Sequence, residues 1–140
     1  MRGERKAETR EKILEAAGAL FRTRGIDAVG VDAIMHAAGL THGGFYAHFA
    51  SRDDLLAEAA EMAGADGIAT LEQVAAAAPE GKGFDAIVHN YLGDRHFADI
   101  EGGCAVAPLC SELPRQAPQV RAAATARIKD LIGFLTEQIP

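Results

Sequence analysis

The chain has 140 residues, about half of them hydrophobic, with few aromatics and no tryptophan, which is enough for one cored domain and favours helices over strands. No apolar run approaches the ~20 residues of a membrane span, the charged start "MRGERKAETREK" lacks the apolar segment of a signal peptide, and two cysteines, Cys104 and Cys110, make no disulfide framework; the expectation is a cytoplasmic protein with no membrane partner. The net charge of −6 argues against a nucleic-acid binder until its distribution is read: residues 1–56 hold eight basic and eight acidic side chains, so the whole deficit lies in 57–140, and ahead of Gly25 seven basic residues stand against four acidic ones.

In chain order, Thr9 is a candidate N-cap for a first helix, with Ile13, Leu14, Ala17, Leu20 and Phe21 on one face and Gly25 at its end. "IDAVGV" is a connection. Asp32 to Ala38 reads as a short helix with Ile34 and Met35 inward, stopped at Gly39 in a left-handed conformation. Thr41 is an N-cap candidate for another short helix ending near Phe49. Ser51, with Asp54 three residues on, caps an alanine-rich helix running to about Ala78. "PEGKG" breaks the chain at Pro79. Phe84, Ile87, Val88, Tyr91 and Leu92 then form one apolar stripe. "ADIEGGCAVAP" is irregular up to a short helix opening at Cys104, in which Cys110 reads as core. Pro114 and Pro118 bracket a turn, and Val120, Ile128, Leu131, Ile132 and Leu135 mark a long amphipathic helix. No strand pattern or repeat occurs, and the fold class is all-α.

Two short helices joined through "AGLT" suggest a helix-turn-helix, in which the start of the second helix enters the DNA major groove. On that reading Gly43 and Gly44 let backbone approach nucleic acid closely. The competing reading is a tight helix–helix turn with glycine used for packing. A basic leading segment on an acidic remainder agrees with a small DNA-contacting head on a larger body, and also with an ordinary solvated helix of mixed charge.

The residues "GVDAIMHAAGLTHGGFYAHFASRDDLL", with "REKILEAAGALFRTRGIDAV" upstream, resemble the DNA-binding signature of the TetR repressor family. The resemblance is specific over residues 9–57 and weaker beyond. It implies a three-helix DNA-binding head over 1–50 and a helical ligand-binding and dimerisation body over 51–140. It also implies double-stranded operator DNA and a small-molecule effector as partners, a homodimer, and no cofactor. By the same resemblance Thr41, Tyr46, His48 and Arg52 contact backbone phosphate, while His42, Gly44 and Ala47 face the bases, with Gly43 beside them letting backbone approach; Ala47 offers a methyl to thymine and His42 is the one strong hydrogen-bonding reader. Val31 stands where the family often has a capping threonine, Asp32 puts an acid near DNA, and Met35 replaces a usual alanine. Family chains normally continue with two more helices, so a truncated chain is expected.

The family's ligand cavity implies that some of Phe84, Ile87, Val88, Tyr91, Cys104, Leu109 and Phe134 line it, the other reading of each being plain core. "GGCAVAPLCSEL" resembles a segment in a branch of the family that includes a sensor of electrophiles and reactive chlorine, which makes Cys104 a redox candidate if a helix N-terminus stabilises its thiolate. An enzyme finds no nucleophile–base pair, HExxH, P-loop or GxSxG here. A metal site finds only His36, His42 and His48, and Cys104 and Cys110, each six residues apart and off one helical face.

Overall fold

The computed structural model describes all residues 1–140. It consists of α1 (Arg2–Arg24), α2 (Val31–Ala37), a 3₁₀ segment (His42–Ala47), α3 (Arg52–Ala77), α4 (Gly83–Tyr91), α5 (Asp94–Ala98), α6 (Val106–Leu109), a 3₁₀ turn (Leu113–Arg115) and α7 (Pro118–Gln138). No strand forms. No helix is long and apolar enough to cross a membrane.

The first helix begins at Arg2 rather than Thr9. Arginine, glutamate, lysine and alanine are strong helix formers and run unbroken there, and the Thr9 hydroxyl donates back to Arg5 O at 2.8 Å instead of capping. Gly25 ends α1 with φ +83°, and Gly39 takes φ +75° as expected for a left-handed stop. The second helix starts one residue early, at Val31 with Gly30 as N-cap, so no side chain caps it. Ser51 does cap α3: its hydroxyl accepts from Asp54 N at 3.1 Å.

The core joins Ile13, Ala17 and Phe21 of α1, Ile34 and Met35 of α2, Phe45 and Phe49, and Leu55, Leu56 and Ala59 of α3, with Leu109 and Val120 from the second half. No polar residue is buried. The long helices α3 and α7 lie against each other, and Gly64 makes this close: a Cβ there would stand 2.5 Å from Arg127 Cβ.

The stripe on α4 is only partly core. Ile87 is buried, but Val88, Tyr91 and Leu92 are exposed. Beyond it, α5 forms over Asp94–Ala98, where no helix is expected, and α6 starts at Val106, two residues after Cys104, with only four residues. Cys110 is exposed rather than core, and Cys104 is half-buried.

Candidate nucleic-acid interface and an internal cavity

The segment from Thr41 to His48 is held from within by aromatic rings. Phe45 is fully buried and stacks on Phe49 with ring centroids 5.5 Å apart. The Arg10 guanidinium covers the outer side of this pair, 4.5 Å from the Phe49 centroid, and ion-pairs with Glu58 of α3. With Phe45 pinned, the neighbouring position faces out: Tyr46 is 63% exposed and meets the Phe45 ring edge-on at 5.2 Å. Thr41, His42, Gly43 and Ala47 are exposed beside it, and Gly44 and His48 are half-buried.

Two glycines at the start weaken this helix, and the six residues His42–Ala47 wind as 3₁₀ rather than α. Thr41 occupies the N-cap position, yet its side chain makes no cap hydrogen bond. The protein itself does not require glycine at 43. A Cβ there meets nothing within 4 Å, and at Gly44 it meets only Met35 Cε at 3.6 Å and Thr41 Oγ1 at 3.8 Å, ordinary contact. Neither residue has a positive φ. Packing therefore does not explain the pair.

His42 Nδ1 is paired with the Asp32 carboxylate of α2, so the acid near the interface orients the histidine. His48 Nδ1 is buried without a partner. Burial first, then the charges of Lys6 and Arg10, push its pKa below the usual 6.5, so the ring is held neutral. Arg52 departs from its expected role. Its guanidinium turns inward and donates to the carbonyls of Ile26 and Val29, with Nε at 3.1 Å and Nη2 at 2.8 Å from Val29 O. Its Cζ lies 6.0 Å from the Phe21 centroid. The side chain is committed to the α1–α2 loop.

A cavity of about 220 Å³ opens between α1, α3, the α4–α6 region and α7. Tyr91, Cys104 and Leu109 line it. Phe84, Ile87, Val88 and Phe134 do not: α4 packs against α3 and α7 with Ile87 buried and Val88 exposed, and Phe134 sits near the end of α7, away from the cavity wall. The approach of the Cys104 thiol as a hydrogen-bond partner, then burial, pushes the Tyr91 phenol up to about 12, so it stays a donor. Its ring lies 4.6 Å from that of His96, centroid to centroid. Cys104 precedes α6 rather than opening it, and a four-residue helix has little dipole to offer a thiolate. No three histidine, cysteine or acidic side chains gather as a metal site.

Three residues of this region are given no role by the sequence. Arg22 and Arg127 line the cavity. Glu112 reaches from the α6–α7 connection to the α1–α2 loop, where its carboxylate accepts from Ile26 N at 2.9 Å and Asp27 N at 3.2 Å. Gln116 adds a bond to Asp27 Oδ1 at 3.3 Å. The only sequence sign of this contact is Gly25, where a Cβ would stand 2.8 Å from Glu112 Oε2.

A sequence model of bacterial regulatory proteins of the tetR family matches residues 13–59, the span holding α2, the aromatic anchors and Arg52. An uncharacterized HTH-type transcriptional regulator of Mycobacterium tuberculosis is 30% identical over 146 residues, covering 94% of this chain and 72% of the relative. A TetR-family transcriptional regulator from Agrobacterium tumefaciens superposes with a TM-score of 0.80 at 19% identity, over 95% of this chain and 70% of that one. The structure of RolR in complex with resorcinol superposes with a TM-score of 0.51 at 25% identity, over 97% and 68%. An exposed tyrosine and histidine set over a buried phenylalanine pair, on a helix-turn-helix with these relatives, make the chain a member of the TetR family of DNA-binding transcriptional regulators.

Proposed function

We propose that the chain is a repressor that sits on operator DNA as a homodimer and leaves it when a small molecule fills the cavity. The division into a DNA-binding head, 1–50, and a ligand-binding and dimerisation body, 51–140, belongs to this reading, as does the absence of enzymatic chemistry. The observation that carries it is the outward face built on Phe45: Tyr46 and Thr41 present hydroxyls, His42 presents a ring fixed by Asp32, and Gly43 leaves its backbone open. Hydroxyls and backbone N–H groups suit phosphate, and a bare backbone lets the segment lie deep in a groove. With Ala47 and one histidine as the side chains able to face bases, direct readout is sparse and operator shape contributes.

Release is supported by the placement of the cavity. Leu109 and Leu113 line it on either side of Glu112, and Glu112 holds the loop that feeds α2. A ligand that shifts these leucines pulls on the head. RolR, a structural neighbour, is seen with resorcinol bound.

The test is selection of duplexes from a random pool, followed by affinity against salt. A two-fold symmetric site should emerge, with log K falling linearly against log salt at about 0.9 per phosphate engaged. Tyr46→Ala should weaken binding to every duplex alike. Recovery of no preferred duplex, with no salt-dependent binding, would remove the reading.

A further inference from the structure

The cavity holds two guanidinium groups whose hydrogen bonding the fold leaves incomplete. Arg22, from α1, donates through Nη1 to Glu101 O at 3.2 Å, and its Nε is buried with no partner. Arg127, from α7, places Nη1 3.2 Å from Asp130 Oδ2, and its Nε is likewise buried with no partner. Both line the same cavity. A buried donor on a charged group is costly to leave without an acceptor, and two in one cavity call for a cause.

Both side chains lie against glycines in helix interiors. A Cβ at Gly18 would stand 3.2 Å from Arg22 Nη1, and one at Gly64 would collide with the Arg127 stem at 2.5 Å from Cβ and 2.6 Å from Cγ. Glycine weakens a helix interior, and here it clears the space in which the two arginines lie. Arginine on a helix surface otherwise extends its charge into water. The one acid lining the cavity, Asp66, is exposed and ion-pairs with neither arginine. The rest of the wall is mostly apolar, with Leu56, Ile128 and Leu131 among it.

We propose that the cavity binds a small organic acid with an apolar body, its carboxylate pairing with the guanidinium groups of Arg22 and Arg127 and its hydrocarbon part seated against Leu56, Ile128 and Leu131. A guanidinium matches a carboxylate in shape and charge, and a water-poor apolar wall strengthens the pairing. The Tyr91 hydroxyl, held protonated, is a further donor on the same wall. This inference rests on the reading of the cavity as the effector site.

Calorimetry on the full chain tests it with 2-naphthoate and its neutral counterpart 2-naphthalenemethanol. Naphthoate should bind at least tenfold more tightly than the alcohol. Arg22→Met and Arg127→Met should each reduce that preference while keeping affinity for the alcohol, and Arg127→Lys, which keeps the charge but loses the planar donor, should fall between. The comparison of the two ligands on the unaltered chain needs no variant to fold. An alcohol that binds as well as the acid would overturn the carboxylate assignment and leave the cavity as a ligand site. Binding of neither would remove both. Naphthoate binding without release of the selected duplex would uphold the acid site and remove the effector role.

Discussion

Arg52 separates two accounts of the same residue. Family resemblance makes it a phosphate contact, and the structure commits its guanidinium to the carbonyls of Ile26 and Val29. Arg52→Ala removes three hydrogen bonds from a charged donor and uncovers the face of Phe21. Bonds of that kind contribute about 1.5–3 kcal/mol each when buried. Arg52 is half-exposed, and the freed carbonyls regain water, so the net loss is roughly 2 kcal/mol. For a domain of this size that lowers Tm by about 6–10 °C. Lysine offers a point charge to one carbonyl rather than a fork to two, and Arg52→Lys should lose about half as much. The assay is thermal unfolding together with the salt dependence of duplex binding. Binding should weaken with a nearly unchanged salt slope, because the loss comes through a loosened α1–α2 loop. An Arg52→Ala protein that melts like the wild type while its slope falls by about 0.9 would restore the phosphate role and refute this account.

Gly44→Leu should fold at least as well as the wild type by circular dichroism, since leucine is the better helix former by about 1 kcal/mol and its Cβ meets Met35 Cε at an ordinary 3.6 Å; it should lose duplex affinity by roughly tenfold or more, about 1.4 kcal/mol, and unaltered affinity would break the link between the glycines and DNA approach. His48 enters binding with its pKa below 6.5 through burial and the charges of Lys6 and Arg10. A phosphate beside it favours the cation, so the complex takes up a proton and affinity rises as pH falls through and below 6.5; that pH-dependent component should disappear in His48→Gln, and its survival there would assign it to another group.

The parts legible in the sequence were those whose cause is local. Ser51 and Asp54 form a cap within one turn, Gly25 and Gly39 stop helices through their own φ, and Phe45 and Phe49 repeat on one face. Thr9 misled because a cap residue inside a run of strong helix formers does not start a helix. Val88, Tyr91 and Leu92 misled because an apolar stripe on a short helix shows that a face is greasy, not what covers it. The two arginines and Glu112 were invisible for another reason. Arg22 and Glu112 act on partners distant along the chain, 79 residues from Arg22 to the Glu101 carbonyl and 86 from Glu112 to Ile26, and Arg127 lies against Gly64 of another helix. Charged residues on helices read as solvated until the tertiary contact is known. Only the glycines opposite them, Gly18, Gly64 and Gly25, leave a trace in the sequence, and a single glycine carries too little information to name its partner.

Glu112 is where the link between cavity and head can be measured without knowing any effector. Its two carboxylate oxygens hold the amides of Ile26 and Asp27, and Ile26 is fully buried. Glu112→Ala leaves a buried N–H without an acceptor, a cost of about 1–3 kcal/mol. The carbonyls of Ile26 and Val29 remain held by Arg52 from the other side, so the loop loosens locally instead of unfolding. Hydrogen exchange should therefore quicken at the Ile26 and Asp27 amides, while the α3 amides near Leu55, within the core, keep their protection. Glu112→Gln retains one accepting oxygen and should preserve part of the protection. Gly25→Ala reaches the same contact from the opposite side, since its Cβ stands 2.8 Å from Glu112 Oε2 and its φ of +83° disfavours any side chain. It should quicken exchange at the same two amides. If Glu112→Ala leaves those amides as slow as before, the carboxylate is not what secures the loop. A ligand moving Leu109 and Leu113 would then have to reach α2 through Phe21 and Leu56, which line the cavity and belong to the same core as Ile34 and Met35.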